Sequence, residues 1–209
     1  MRRYIVRRAA EPLPALAGRV FDPETEPFCR IEYAPIDRYV WPGEYRPEAR
    51  AYAAWDDAGL RLLLCADEPD VCAAARSFGG RVWLDSCLEC FLQPFEDDPR
   101  YLNIEINAAG TALIGFGEGR ERHFLEECPP GMDFQASRHA GGWWAAACTV
   151  PFARIERLYG RRPGAGRMMR GNFYCCDETL HPHFGSWNPI ESPQPDFHRP
   201  ECFGVIALA

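Results

Sequence analysis

The 209 residues (23.7 kDa) suffice for one domain with a substantial core, and 47% apolar with 25% charged residues is the balance of a folded chain. No apolar window of about 20 residues is present, which excludes a membrane-spanning helix. Net charge is −7 and all 23 basic side chains are dispersed Arg, so the basic footprint of a nucleic-acid binder is absent.

Short apolar or alternating runs between turn signals dominate the chain, and helical periodicity is scarce. Residues 4–7 and 31–33 are short strand candidates. Residues 51–55 and 60–66 form a predicted hairpin around Asp56-Asp57-Ala58-Gly59. A strand over 86–93 stops at Pro94. Residues 101–107 alternate cleanly, turn at Ala108-Ala109-Gly110 and resume over 111–116. Another hairpin joins 134–138 to 143–150 through Gly141-Gly142. The one predicted helix, 151–159, has Pro in its first turn and Gly160 as its stop. Strands at 170–176 and 203–208 follow. Between them, 181–200 holds five Pro and reads as a long ordered loop, a frequent carrier of function. With no repeat and no linker, residues 1–209 read as a single domain. The fold class is all-β: an antiparallel β-sandwich (jelly roll) of about ten strands with one short helix.

The first residues, MRRYIVRRAA, are basic and lack the apolar stretch of a secretory leader, so a cytoplasmic location is the expectation. The ten Cys lie mostly in apolar runs such as LLLCA and AAACTV, where a thiol packs as a small hydrophobe, so free thiols are expected.

Alternation carries the first functional hint, because successive strand side chains point to opposite faces. Leu102, Ile104 and Ile106 share the core face, leaving Asn103, Glu105 and Asn107 opposite. Leu88, Cys90 and Leu92 likewise leave Cys87, Glu89 and Phe91. Gly171, Phe173 and Cys175 leave Arg170, Asn172 and Tyr174. If these three faces adjoin, they form a concavity of amides and carboxylates. The competing reading is a solvated outer face, although Asn is a poor strand former.

Several familiar motifs fail on their context. Cys87-Leu88-Glu89-Cys90 is a CxxC, but within a strand its two thiols point to opposite faces. His181-Pro182-His183 resembles half of a metal site, but Glu191, the downstream carboxylate, lies in a Pro-rich loop. Glu89 and Glu105 could act as a glycosidase acid/base pair, or could accept hydrogen bonds from sugar hydroxyls. Six Trp are present, and Trp83 and Trp187 are the two least readily placed in strands. A flat indole complements the apolar C–H face of a sugar ring.

These residues resemble a known family. The run Trp83-Leu84-Asp85-Ser86-Cys87-Leu88-Glu89-Cys90-Phe91-Leu92 is similar to a segment of family 9-type carbohydrate-binding modules and their DOMON-like relatives. The similarity continues through residues 101–110, Gly171-Asn172-Phe173-Tyr174, His183-Phe184-Gly185-Ser186-Trp187 and residues 197–204. The resemblance implies a jelly-roll sandwich in which two Trp clasp a terminal sugar ring, here Trp83 and Trp187, with Glu89 as a hydroxyl acceptor. Members often hold structural calcium, for which no ligand set is matched in this chain. The leading expectation is therefore a non-catalytic carbohydrate-binding module with no membrane or nucleic-acid partner. Its expected site is Trp83, Glu89, Asn103, Glu105, Asn107, Arg120, Asn172 and Trp187, with Arg122 and Arg170 as further hydroxyl donors. The alternatives are a glycoside-active hydrolase using the carboxylate pair, and a small-ligand or protein-interaction sandwich.

Overall fold

The computed structural model describes residues 1–16, 19–25 and 27–209. In chain order its regular elements are β1 (Arg3–Arg8), β2 (Ala34–Ile36), β3 (Ala49–Trp55), β4 (Gly59–Ala66), β5 (Cys87–Gln93), β6 (Tyr101–Asn107), β7 (Ala112–Glu118), β8 (Glu121–Phe124), β9 (Phe134–His139), β10 (Trp143–Pro151), α1 (Phe152–Tyr159), β11 (Met168–Asp177), β12 (His183–Ser186) and β13 (Gly204–Leu208). The strands run in the order β8-β7-β6-β5-β11-β13-β1-β3-β4-β10-β9, with β12 beside β11 and β2 beside β3. This path curls over itself into a β-sandwich. Leu88, Leu102 and Ile104 from one layer meet Leu62, Leu64 and Trp144 from the other in the principal core.

β1 joins the two layers. Its first four residues pair with β13 and its last two pair with β3, both in parallel, while all other ladders are antiparallel. Only Tyr4 and Val6 of this strand are buried, so its pattern in the sequence is faint. Two strands escape the alternation rule. β8 has no apolar alternation, being polar up to its last residue, Phe124, and exists because it folds back on β7. β12 lies within the predicted loop 181–200 and pairs with Tyr174–Asp177 of β11. The strand expected at 31–33 forms three residues later, as β2.

Both outer faces are covered. The face of β5, β6 and β11 opposite the core carries Cys87, Phe91, Tyr101, Tyr174 and Cys176. On it pack Trp41, Val82, Ile190, Phe197 and Phe203 from segments outside the strands. On the other layer Leu16, Phe21 and Phe28 cover Tyr52, Leu63, Ala145 and Ala147. Burying each large apolar side chain contributes about 1.5–3 kcal/mol. These covers therefore turn the expected polar outer face into a second interior.

Candidate functional site

Glu89 on β5 and Glu105 on β6 are direct cross-strand partners, and Tyr174 on β11 flanks Glu89 on the next strand. The three predicted faces do adjoin, and where the cover over them opens they leave a cavity of about 360 Å³. Small-molecule sites run from roughly 300 to 1,000 Å³. Glu89 and Glu105, with Glu178, Asp196, Cys176, Arg120 and Arg122, supply its polar lining; Trp83, Phe124, Phe184, Phe197 and His198 supply rings.

Glu89 and Glu105 are almost wholly buried, at 2% and 3% exposure. Cys176 Sγ donates to Glu89 Oε1 at 3.2 Å, and Asn103 Nδ2 donates to Glu105 Oε1 at 2.8 Å. Glu105 Oε2 and Arg122 Nε are buried with no hydrogen-bond partner. An unsatisfied buried polar group costs about 1–3 kcal/mol, so a site that holds them is built to receive partners. Burial and then the charge on Glu105 push Glu89 well above the ordinary carboxylate range; Cys176 and Arg122 pull the other way. Burial likewise raises Glu105 to about 7, opposed by Arg122 and Asn103. Near neutrality the pair therefore retains a proton and offers both a donor and acceptors, which suits hydroxyl groups.

The walls are tied in from several elements. Arg120, in the β7–β8 turn, bonds Asp196 at 2.8 Å across the mouth, although it is an exposed pair of little energetic weight. Tyr101 donates its hydroxyl proton to the Gly119 carbonyl at 2.8 Å, which assigns His198 Nδ1, also 2.8 Å away, as a donor to the Tyr101 oxygen. Burial, with Arg122 and Arg120 nearby, depresses His198 to about 3, so the imidazole is neutral. Its ring stacks on Phe91 with centroids 4.8 Å apart. Gly115 on β7 makes room for Asn103, since a Cβ there would lie within 3.0 Å of Asn103 Cγ and 3.1 Å of Arg122 Cδ. Gly115→Ala is therefore expected to destabilise by about 1–3 kcal/mol and to displace the side chain that holds Glu105. Denaturant unfolding measures it, and a variant as stable as wild type would contradict this packing.

Of the predicted site, Trp83, Glu89, Glu105 and Arg120 line the cavity, and Asn103 stands one hydrogen bond behind it. The others do not. Asn107 bonds Asp85 at 2.7 Å and the Ala75 carbonyl at 2.9 Å, anchoring the segment that carries Trp83. Asn172 bonds the backbone of Asn188 at 2.9 and 2.8 Å, anchoring the cover. Arg170 donates to the Phe203 carbonyl at 2.8 Å. The expected pairing of Trp83 with Trp187 is not formed. Trp187 is 2% exposed in the principal core, with its ring 5.6 Å from Phe173 and 6.3 Å from Tyr4. Backbone pairing with Phe173 turns it inward. The rings that sequence reasoning missed are Phe124, Phe184, Phe197 and His198. Phe184, Phe197 and His198 lie in the segments that resemble the family, 183–187 and 197–204, whereas nothing in the sequence pointed to Phe124.

Calcium takes about six to eight oxygen ligands. Among the described residues, two buried groups bring three His, Cys, Asp or Glu donors together: Glu68–Cys175–His183 and Cys87–Glu89–Cys176. Each contains a thiol, and neither suits calcium. All ten cysteines are free thiols.

The sequence profile described as Carbohydrate-binding family 9 matches residues 21–208. A solved carbohydrate-binding-protein candidate from Bacteroides uniformis ATCC 8492 is similar over 99% of both chains, at 29% identity and a TM-score of 0.83. A family 9 module from Caldicellulosiruptor kristjanssonii, solved with glucose, aligns with 100% of this chain and 96% of its own at 15% identity and a TM-score of 0.68. Its complex with cellotriose aligns over 99% and 93%, at 14% identity and a TM-score of 0.67. At those identities the likeness is one of fold. No curated protein matches the chain.

Proposed function

The chain belongs to carbohydrate-binding family 9, and from that premise we propose that it is a non-catalytic carbohydrate-binding module whose site is the cavity at Trp83, Glu89 and Glu105. The ligand class is a glucose unit or the end of a gluco-oligosaccharide, the ligands held by the Caldicellulosiruptor relatives. The observation that carries the reading is the pair of unpartnered buried polar atoms, Glu105 Oε2 and Arg122 Nε, among aromatic rings. A sugar brings both complements: hydroxyls for the carboxylates and guanidinium, and a C–H face for the rings. Trp83 is half-buried on the Val82–Leu84 turn, free to offer one indole face. The part expected of Trp187 falls to Phe184 and Phe197.

The geometry favours binding over hydrolysis. A glycosidase sets its two carboxyl groups on either side of the scissile bond. Here they stand side by side on neighbouring strands of one sheet face.

Titration calorimetry with glucose, cellobiose and cellotriose tests the proposal. Saturable one-to-one binding is expected, weakened at least about tenfold (~1.4 kcal/mol) in Trp83→Ala. Absence of binding to all three at millimolar concentration, or unchanged affinity in Trp83→Ala, would overturn it.

A further inference from the structure

The second cluster of buried ligating side chains lies away from the cavity, toward the principal core. Cys175 on β11 points into that core, and His183 opens β12 beside it. Glu68 follows the end of β4 in the other layer. His183 Nε2 lies 3.3 Å from Cys175 Sγ and 3.7 Å from Glu68 Oε1, and Cys175 Sγ lies 4.0 Å from Glu68 Oε2. The corners of a tetrahedron around zinc, with ordinary Zn–N, Zn–O and Zn–S bonds, are roughly 3.3–3.6 Å apart. The three donor groups thus already stand near metal-site spacing.

Three further observations point to a ligand. The Glu68 and His183 side chains are completely buried, at 0% exposure, and Glu68 Oε1 has no hydrogen-bond partner. His183 Nδ1 lies 2.7 Å from the His181 carbonyl, which can only accept, so Nδ1 carries the proton and Nε2 presents its lone pair to the cluster. Glu68 Oε2 is fixed by the indole N–H of Trp144 at 2.8 Å. Ligating imidazoles and carboxylates are held by outer hydrogen bonds in this way.

We propose that Glu68, Cys175 and His183 form a binding site for one thiophilic divalent cation of the zinc class. One thiolate, one imidazole and one carboxylate select zinc or cobalt over calcium and magnesium, which prefer oxygen. Binding forms the metal–sulfur bond and releases the Cys175 proton to solvent. A solvent oxygen completes the tetrahedron. Because Glu68 comes from one layer and Cys175 and His183 from the other, the ion ties the sandwich together beside β12. The other thiol cluster, Cys87–Glu89–Cys176, is the rival site. It would give two sulfur ligands instead of one.

The test uses the full chain, stripped with a chelator and titrated with Co²⁺ and Zn²⁺. Expected are one equivalent of metal bound, a thiolate-to-cobalt charge-transfer band and a raised melting temperature. The band should be lost in Cys175→Ser and kept in Cys128→Ser, which alters an exposed thiol. X-ray absorption of the wild-type zinc protein gives an answer even if Cys175→Ser fails to fold. One sulfur at about 2.3 Å with lighter donors at about 2.0–2.1 Å supports the site. Less than one equivalent bound, a shell with no sulfur or with two, or a band that survives Cys175→Ser overturns it.

Discussion

Trp187→Ala is expected to lower stability by about 3–5 kcal/mol, the usual cost of emptying a buried Trp position. For a chain of this length that is a fall of roughly 6–20 °C in melting temperature. Trp187 packs against Phe173 and Tyr4, and its ring lies over Gly204, where an added Cβ would come within 2.5 Å of it. Of its neighbours, Gly204 has no side chain to fill the vacated space, and Phe173 and Tyr4 are themselves buried. Thermal melts measure the effect. Any loss of sugar binding in this variant then follows from loss of the fold, whereas Trp83→Ala is expected to lose affinity while remaining folded. A Trp187→Ala protein as stable as wild type would contradict the core placement.

Glu105→Gln is expected to stabilise the protein above neutral pH. Burial holds the Glu105 carboxyl at about 7 against an ordinary 4.5. In the unfolded chain the group ionises above about pH 4.5, while in the folded state it keeps its proton to about pH 7. The folded state therefore binds more protons across that window, and stability falls as pH rises through it. Gln is neutral at every pH and can still accept from Asn103. At pH 8 the variant should gain at least about 1 kcal/mol, since each tenfold change in proton affinity on folding is worth about 1.4 kcal/mol. The melting temperature should rise by roughly 2–4 °C per kcal/mol. At pH 4, where the carboxyl is protonated in both states, the two proteins should melt alike. Melts between pH 4 and 8 check this, and a variant that loses stability relative to wild type as pH rises would show instead that Glu105 is held as a carboxylate.

Glu105 was legible in the sequence because period-two alternation in Tyr101–Asn107 is clean, and its neighbour Glu89 followed from the same rule. The alternation identified which residues share a face. It did not show that the face is covered. Asn107 and Asn172 therefore read as ligand-facing, when their amides hold backbone of the covering segments. Trp187 shows the same limit, since a loop-like context hid the β12 pairing that turns the next residue into the core. Phe197 was illegible because non-strand backbone has no period to read, and Phe184 because β12 is only four residues long and sits among prolines. The Glu68–Cys175–His183 group was hidden for a different reason. The sequence offers Glu191 downstream of His183, whereas the fold supplies Glu68 from just past β4, 115 residues upstream.

Whether the cavity is the sugar site is decided by a crystal structure of this chain with cellotriose. The terminal glucose is expected inside the cavity, with its ring face against Trp83 and its hydroxyls within about 3 Å of Glu105 Oε2 and Arg122. A sugar bound at full occupancy elsewhere on the sandwich, with this cavity holding only solvent, would contradict it.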